Sequence, residues 1–150
     1  MANMQMEKTP MPEQDPKVRA HNFEEVSQGY TAEMAINEAK RCLNCKHKPC
    51  VSGCPVNVPI PDFIAKMAEG DFAGAYEVIS TTNALPGISG RVCPQENQCE
   101  AKCVRGVKGE PVSIGRLERF AADYAREHGL SNAMDKPVSN GKTSDQVPSE

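Results

Sequence analysis

Seven cysteines fall in two groups, Cys42-x2-Cys45-x4-Cys50-x3-Cys54-Pro55 and Cys93-Pro94-x4-Cys99-x3-Cys103. The thiolate is the form of cysteine that binds metal, and it prefers soft or borderline ions. Holding such an ion or cluster requires several sulfurs to converge on one point. The Cys42-x2-Cys45 turn aims two sulfurs the same way, and Cys50 can add a third corner. A fourth ligand must then come from elsewhere in the chain, and the second group is the obvious source.

Three chemistries use cysteines in this way. In bacterial ferredoxins a run of closely spaced cysteines ends in Cys-Pro, and that last cysteine ligates the other of two clusters. Cys54-Pro55 stands in this position, although the gap before Cys50 is four residues where the ferredoxin run has two. Zinc is the competing reading, since it too is bound by Cys-x2-Cys knuckles, and His47 could serve such a site. A single four-ligand zinc site would leave three sulfurs without a role. Two Cys-Pro steps and the lack of a second Cys-x2-Cys pair also speak for iron–sulfur. Redox-active or unliganded thiols are the third possibility. An odd number of cysteines would strand one thiol in any scheme of disulfides alone. His47, His21 and His128 otherwise read as ordinary surface histidines.

The rest of the composition narrows the class. The chain has 150 residues, no Trp and 5% aromatic residues, room for one modest domain with a small core. Such a core, rich in Pro and Gly, often needs a covalent or metal staple. Net charge is −3, with acidic ends and a basic middle. Lys40, Arg41, Lys46, Lys48, Lys102, Arg105 and Lys108 flank the cysteines. They form a solvated surface, offset the charge of thiolate-bound clusters, or dock an acidic partner. The basic excess is too small, and too free of interleaved aromatics, for a nucleic-acid binder. Pro10, Pro12, Glu13 and Asp15 interrupt any signal-peptide core, and no apolar run is long enough for a membrane span. A cytoplasmic location follows as the expectation. No Ser/His/Asp set or acid–base pair is recognisable, so hydrolysis and group transfer are not expected.

The elements that must position the cysteines are helices. Residues 1–20, with scattered Met, Pro and charge, are expected to be loosely packed. His21–Tyr30 reads as a connector anchored by Phe23 and Val26. Thr31 caps a helix through about Arg41 that delivers the chain into Cys42. Pro49, Pro55, Pro59 and Pro61 exclude any long helix in the cysteine loop. Helices follow over Asp62–Glu69, ended by Gly70, and over Asp71 to about Thr81. Asn83–Gly87 reads as a turn. Pro94 suits the first turn of a short helix carrying Cys99 and Cys103. Gly106–Pro111 reads as a loop. Ser113 then caps a strongly amphipathic helix to about His128, with Ile114, Leu117, Phe120, Ala121, Tyr124 and Ala125 on one face. Residues 131–150 read as a linker, and no period-2 strand is visible. The expected fold class is all-α, with residues 21–130 as the domain.

Cys42–Cys103 followed by Ser113-Ile114-Gly115-Arg116-Leu117-Glu118-Arg119-Phe120 resembles one module. It is the N-terminal iron–sulfur domain of the NADPH-dependent glutamate synthase small-subunit family. Related domains occur in dihydropyrimidine dehydrogenase and in the NADPH-binding subunit of the NADH-dependent ferredoxin:NADP oxidoreductase. The resemblance covers roughly residues 20–130. It implies a small helical bundle of the alpha-helical ferredoxin type holding two 4Fe-4S clusters. By position, Cys42, Cys45, Cys50 and Cys103 would hold the first cluster and Cys54, Cys93 and Cys99 the second. Glu118 would complete the second in the place where related proteins carry Glu or Gln. Read without the resemblance, Glu118 is an exposed helix carboxylate pairing with its neighbours. Full-length members continue into FAD- and NADPH-binding lobes, whose Gly-x-Gly-x-x-Gly turns are not found here. The resemblance therefore implies an electron-relay fragment that would not turn over alone. Its implied partners are the flavin and NADPH domains of the parent chain and a large glutamate synthase or ferredoxin-linked subunit. A zinc-binding or redox-inert docking module is the alternative.

Overall fold

Local rules account for most of the helix starts. Thr31 Oγ1 accepts the Met34 N–H at 3.3 Å, and Asp71 Oδ1 accepts the Gly74 N–H at 2.9 Å, each satisfying a backbone donor that a helix start leaves open. Proline occupies the first turns of four helices, where its missing N–H costs nothing. The computed structural model describes residues 3–132. Its α-helices are α1 (Pro16–Arg19), α2 (Ala32–Ala39), α3 (Pro49–Ser52), α4 (Ile60–Ala68), α5 (Phe72–Ser80), α6 (Pro86–Val92) and α7 (Ile114–Glu127). Single turns of 3-10 helix lie at Gln95–Asn97, Glu100–Lys102 and Val104–Val107. Among the described residues there is no strand, only an isolated bridge between Glu13 and Ser27. The fold is all-α, as expected. No helix among them is long and apolar enough to cross a membrane.

The core lies where α2, α4, α5 and α7 meet. Ala35 and Ala39 of α2, Phe63, Ile64 and Met67 of α4, Ala75 and Ile79 of α5, and Ile114, Leu117 and Ala121 of α7 are all fully buried. Ile114, Leu117 and Ala121 lie on the face that the helical periodicity marks in α7. An edge-on contact between Phe72 and Phe120, centroids 4.9 Å apart, closes α5 onto α7.

The structure departs from expectation in four places. The lead-in is docked rather than loose. The Asn3 N–H donates to the Lys40 carbonyl, the Thr9 N–H to Glu38 Oε2, and Tyr30 Oη to the Thr9 carbonyl. Its reason is a pair of buried side chains that require this strap. Arg41, 0% exposed, places all five of its N–H donors. Nε reaches the Gln5 carbonyl, and one terminal nitrogen reaches Glu38 Oε1 at 2.6 Å and the Pro111 carbonyl. The other reaches the carbonyls of Met6 and Glu110. Arg41 is thus no surface cation. Phe23, expected to anchor the connector, is fully exposed at 110%. The connector is held by charge instead, through Glu25 on Arg91 and Arg119 and the Ser27 carbonyl on Arg119.

The third departure is α6, which begins within the expected turn. Two glycines in seven residues argue against a helix on propensity. Gly90 is the reason this one packs: a Cβ there would lie 2.7 Å from the Arg119 backbone nitrogen of α7. Only glycine lets the two backbones approach this closely. Gly90→Ala is expected to force them apart and cost about 1–3 kcal/mol, read as a lowered thermal midpoint. The fourth departure lies after Pro94, where three short 3-10 turns replace one helix carrying Cys99 and Cys103. The proposed linker falls, beyond residue 132, outside the described residues.

Candidate metal centre

Each cysteine is placed by the end of a short element. α2 stops with the Cys42 N–H bonded to the Ala39 carbonyl, so the chain enters the first group as it leaves the helix. The loop then turns sharply. Asn44, Lys48 and Asn57 all adopt left-handed φ, at 47°, 42° and 54°. Asn tolerates this conformation through its short polar side chain, whereas Lys does not do so cheaply. The bends at Asn44 and Lys48 lie in the stretch that brings Cys45 and Cys50 near Cys42. The single turn of α3 separates Cys50 from Cys54. On the other side α6 ends at Cys93, and the 3-10 turns carry Cys99 and Cys103. A Cβ on Gly53 would lie 2.6 Å from the Gln98 carbonyl, so the two cysteine segments meet backbone to backbone there.

The electrostatic neighbours of the thiols sort the candidate ligands into two sets. Burial pushes the Cys42 thiol up, and the charges of Cys103 and Cys45 add to it. Cys50 is pushed up to about 11, first by burial and then by Cys42 and Cys103. In the other set, burial raises Cys93, followed by Glu118 and Cys54. Cys99 is pushed up to about 12 by burial, then by Glu100, Cys54 and Glu118. Cys42 is thus near Cys45 and Cys103, Cys50 near Cys42 and Cys103, Cys93 near Cys54 and Glu118, and Cys99 near Glu100, Cys54 and Glu118. The sets cross the sequence: the last cysteine of each group sits with the other group's remainder.

Glu118 is not the exposed carboxylate of the plain helix reading. Burial raises its pKa, opposed by hydrogen bonds from Ser89 and Asn83. Its Oε1 accepts from Ser89 Oγ at 2.5 Å and from Asn83 Nδ2 at 2.9 Å, and no cation pairs with it among the described residues. Polar backbone also faces the sulfurs. N–H groups of Asn44, Val51 and Glu100 serve Cys42, Cys50 and Cys99, and the Val112 N–H lies 3.5 Å from Cys103 Sγ. Such donors favour thiolate over thiol.

The donor set fits an iron–sulfur cluster. Buried, mutually repelling thiols are unfavourable as anions by themselves, and a positive centre among them reverses that balance. Among the described residues, no three Cys, His, Asp or Glu side chains close on a point that suits one metal ion. A four-iron cubane offers each ligand its own iron, so its ligands stand farther apart than those of a lone ion. His47, the reserve ligand of the zinc reading, is exposed, as are His21 and His128.

Sequence reasoning missed the supports of the site. Ser89 belongs to α6, a helix not anticipated, and Asn83 to the turn that leads into it. Buried Glu100 links Lys8 of the strap, at 2.6 Å, to the Gly115 N–H at the start of α7. Of the flanking cations, Arg105 is buried and donates to the Gln5 carbonyl, and Lys48 pairs with Asp62. Lys40, Lys46, Lys102 and Lys108 are exposed.

Comparison with known proteins agrees with this chemistry. The chain is 38% identical over 108 residues to the NAD-dependent dihydropyrimidine dehydrogenase subunit PreT of Escherichia coli (strain K12), covering 72% of this chain and 26% of that protein. It is 36% identical over 126 residues to the glutamate synthase [NADPH] small chain of Halomonas elongata, covering 83% and 27%. The E. coli glutamate synthase [NADPH] small chain is 35% identical over 131 residues, covering 87% and 28%. The chain thus spans little more than a quarter of the length of these relatives. Residues 19–130 match the family described as dihydropyrimidine dehydrogenase domain II, 4Fe-4S cluster, and the chain belongs to that family of 4Fe-4S-binding helical domains.

Proposed function

We propose that the chain holds two 4Fe-4S clusters and serves as an electron-relay domain. Cys42, Cys45, Cys50 and Cys103 would hold the first cluster, and Cys54, Cys93, Cys99 and Glu118 the second. The observation that supports this reading most is the match of residues 19–130 to a 4Fe-4S cluster family, with Cys103 near Cys42 and Cys50, and Cys54 near Cys93 and Cys99. When bound, such clusters supply reversible one-electron transfer. The chain's own residues hold them in a low-dielectric setting, aim backbone N–H groups at the sulfurs and replace one thiolate by a harder carboxylate. That substitution would distinguish the second cluster in potential and in how readily it gives up iron.

The nicotinamide-dependent relatives support placing this domain in an oxidoreductase. In that setting it connects the flavin of an NADPH-dependent unit, on FAD- and NADPH-binding lobes, with a partner subunit of the glutamate synthase or ferredoxin-linked type, in the cytoplasm. The decisive measurement is iron, acid-labile sulfide and zinc per chain after purification without oxygen. About eight irons with matching sulfide are expected for two four-iron clusters. Stoichiometric zinc without sulfide would overturn the relay and leave a structural module.

A further inference from the structure

Glu118 is gripped by one of its two oxygens. Asn83 Nδ2 and Ser89 Oγ both donate to Oε1, while among the described residues no donor is directed at Oε2. The three side chains form a closed triangle. Asn83 Nδ2 also donates to Ser89 Oγ at 2.8 Å, so the hydroxyl accepts from the amide and directs its single proton to the carboxylate at 2.5 Å in preference to the Leu85 carbonyl at 3.1 Å. The amide has no freedom to turn over. Its Oδ1 accepts the Leu85 N–H at 3.0 Å, which leaves the NH2 group facing Glu118. Ser89 is fixed in turn, because its carbonyl accepts from Gln95 Nε2 at 3.1 Å. The adjoining Gly90 presses that turn of α6 onto α7 beside Glu118.

A glutamate side chain has several rotatable bonds, and a free carboxylate can bind a metal through either oxygen or through both. Engaging one oxygen from two directions removes that choice. We propose that Asn83 and Ser89 are positioning residues that hold Oε1 of Glu118 so that Oε2 alone is offered to the second cluster. This rests on the reading of Glu118 as a ligand. Partners of this kind are commonly worth 10- to 100-fold in metal affinity, because they set the orientation and basicity of the ligand they touch.

The test uses the full chain loaded with iron and sulfide without oxygen. Its readouts are the rate of iron loss to a chelator and the electron paramagnetic resonance signal of each reduced cluster. Ser89→Ala and Asn83→Ala should each speed iron loss from the second cluster about 10-fold and alter its signal, leaving the first cluster as it was. Ser89→Thr, which keeps the hydroxyl, should restore the parent behaviour. With Glu118→Cys in place, Ser89→Ala should have no further effect, since the clamp acts only through the carboxylate. If Glu118→Ala loosens the second cluster while neither clamp variant does, the clamp is wrong and the ligand assignment stands. If Glu118→Ala leaves the second cluster unchanged, the ligand assignment fails and the clamp falls with it. Equal weakening of both clusters together with lost helicity would mark Asn83 and Ser89 as structural supports, and would also overturn the proposal.

Discussion

Arg41→Ala should lower the stability of the domain by about 3–5 kcal/mol, the range for breaking a buried ion pair from one side. The substitution leaves Glu38 as a fully buried carboxylate that has lost the one cation paired with it among the described residues. It also takes the Arg41 donors from the carbonyls of Glu110 and Pro111 and one of two donors from those of Gln5 and Met6, and acceptors left without a donor carry their own penalty. Denaturant unfolding under anaerobic conditions measures the loss. Limited trypsin digestion should show Lys8 and Lys17 cut early, because the strap loses the group that holds it. A loss below about 1 kcal/mol, typical of solvated pairs, would show that this pair is not sealed from water. Replacing both partners by apolar residues, Arg41→Met with Glu38→Leu, should be milder than Arg41→Ala alone, since no buried charge is stranded.

Cys54→Ser should leave about half the iron, four of roughly eight atoms on the stoichiometry of two cubanes, together with one intact resonance signal. Cys93→Ser should give the same phenotype. Cys50→Ser and Cys103→Ser should give the complementary one, with the other signal retained. This pairing goes against sequence proximity. Cys50, within the single turn of α3, and Cys54, just beyond it, should fall in different classes, because Cys54 has Cys93 and Cys99 as neighbours while Cys50 has Cys42 and Cys103. A Cys54→Ser protein with both signals and full iron would contradict the assignment.

Much of this molecule was legible in the residue pattern, for identifiable reasons. The capping of Thr31 and Asp71, the stop at Gly70 and the buried face of α7 depend on short-range geometry that a local reading captures. The all-α class and the iron–sulfur chemistry followed from cysteine spacing together with the stretch around Glu118. What stayed hidden depends on partners distant in sequence. α6 is made by close approach to α7, against its own glycine-rich propensity. Arg41 looked like one of a row of surface cations, yet its five acceptors come from both sides of the chain and bury it completely. Phe23 looked like an anchor because it is apolar, whereas the connector is held by Glu25 and the Ser27 carbonyl. The supports of Glu118 were invisible for the same reason, since Asn83 and Ser89 gain meaning only once α6 is laid on α7.

The crossing of the two donor sets bears on the order in which this protein can be made. Cys103 completes the neighbourhood opened by Cys42, and Glu118 completes the one opened by Cys54. A nascent chain that has emerged only as far as α6 therefore displays four cysteines and no finished quartet. On the proposed assignment the first quartet is complete once Cys103 has left the ribosome, and the second only once α7 has followed. Closing the first site then also encloses the loop that bears the second. Loops of such length are entropically costly to close, so each closure lowers the cost of the next. On the proposed assignment, chains that end before Cys103 should remain colourless, and chains that end between Cys103 and Glu118 should take up the first cluster alone.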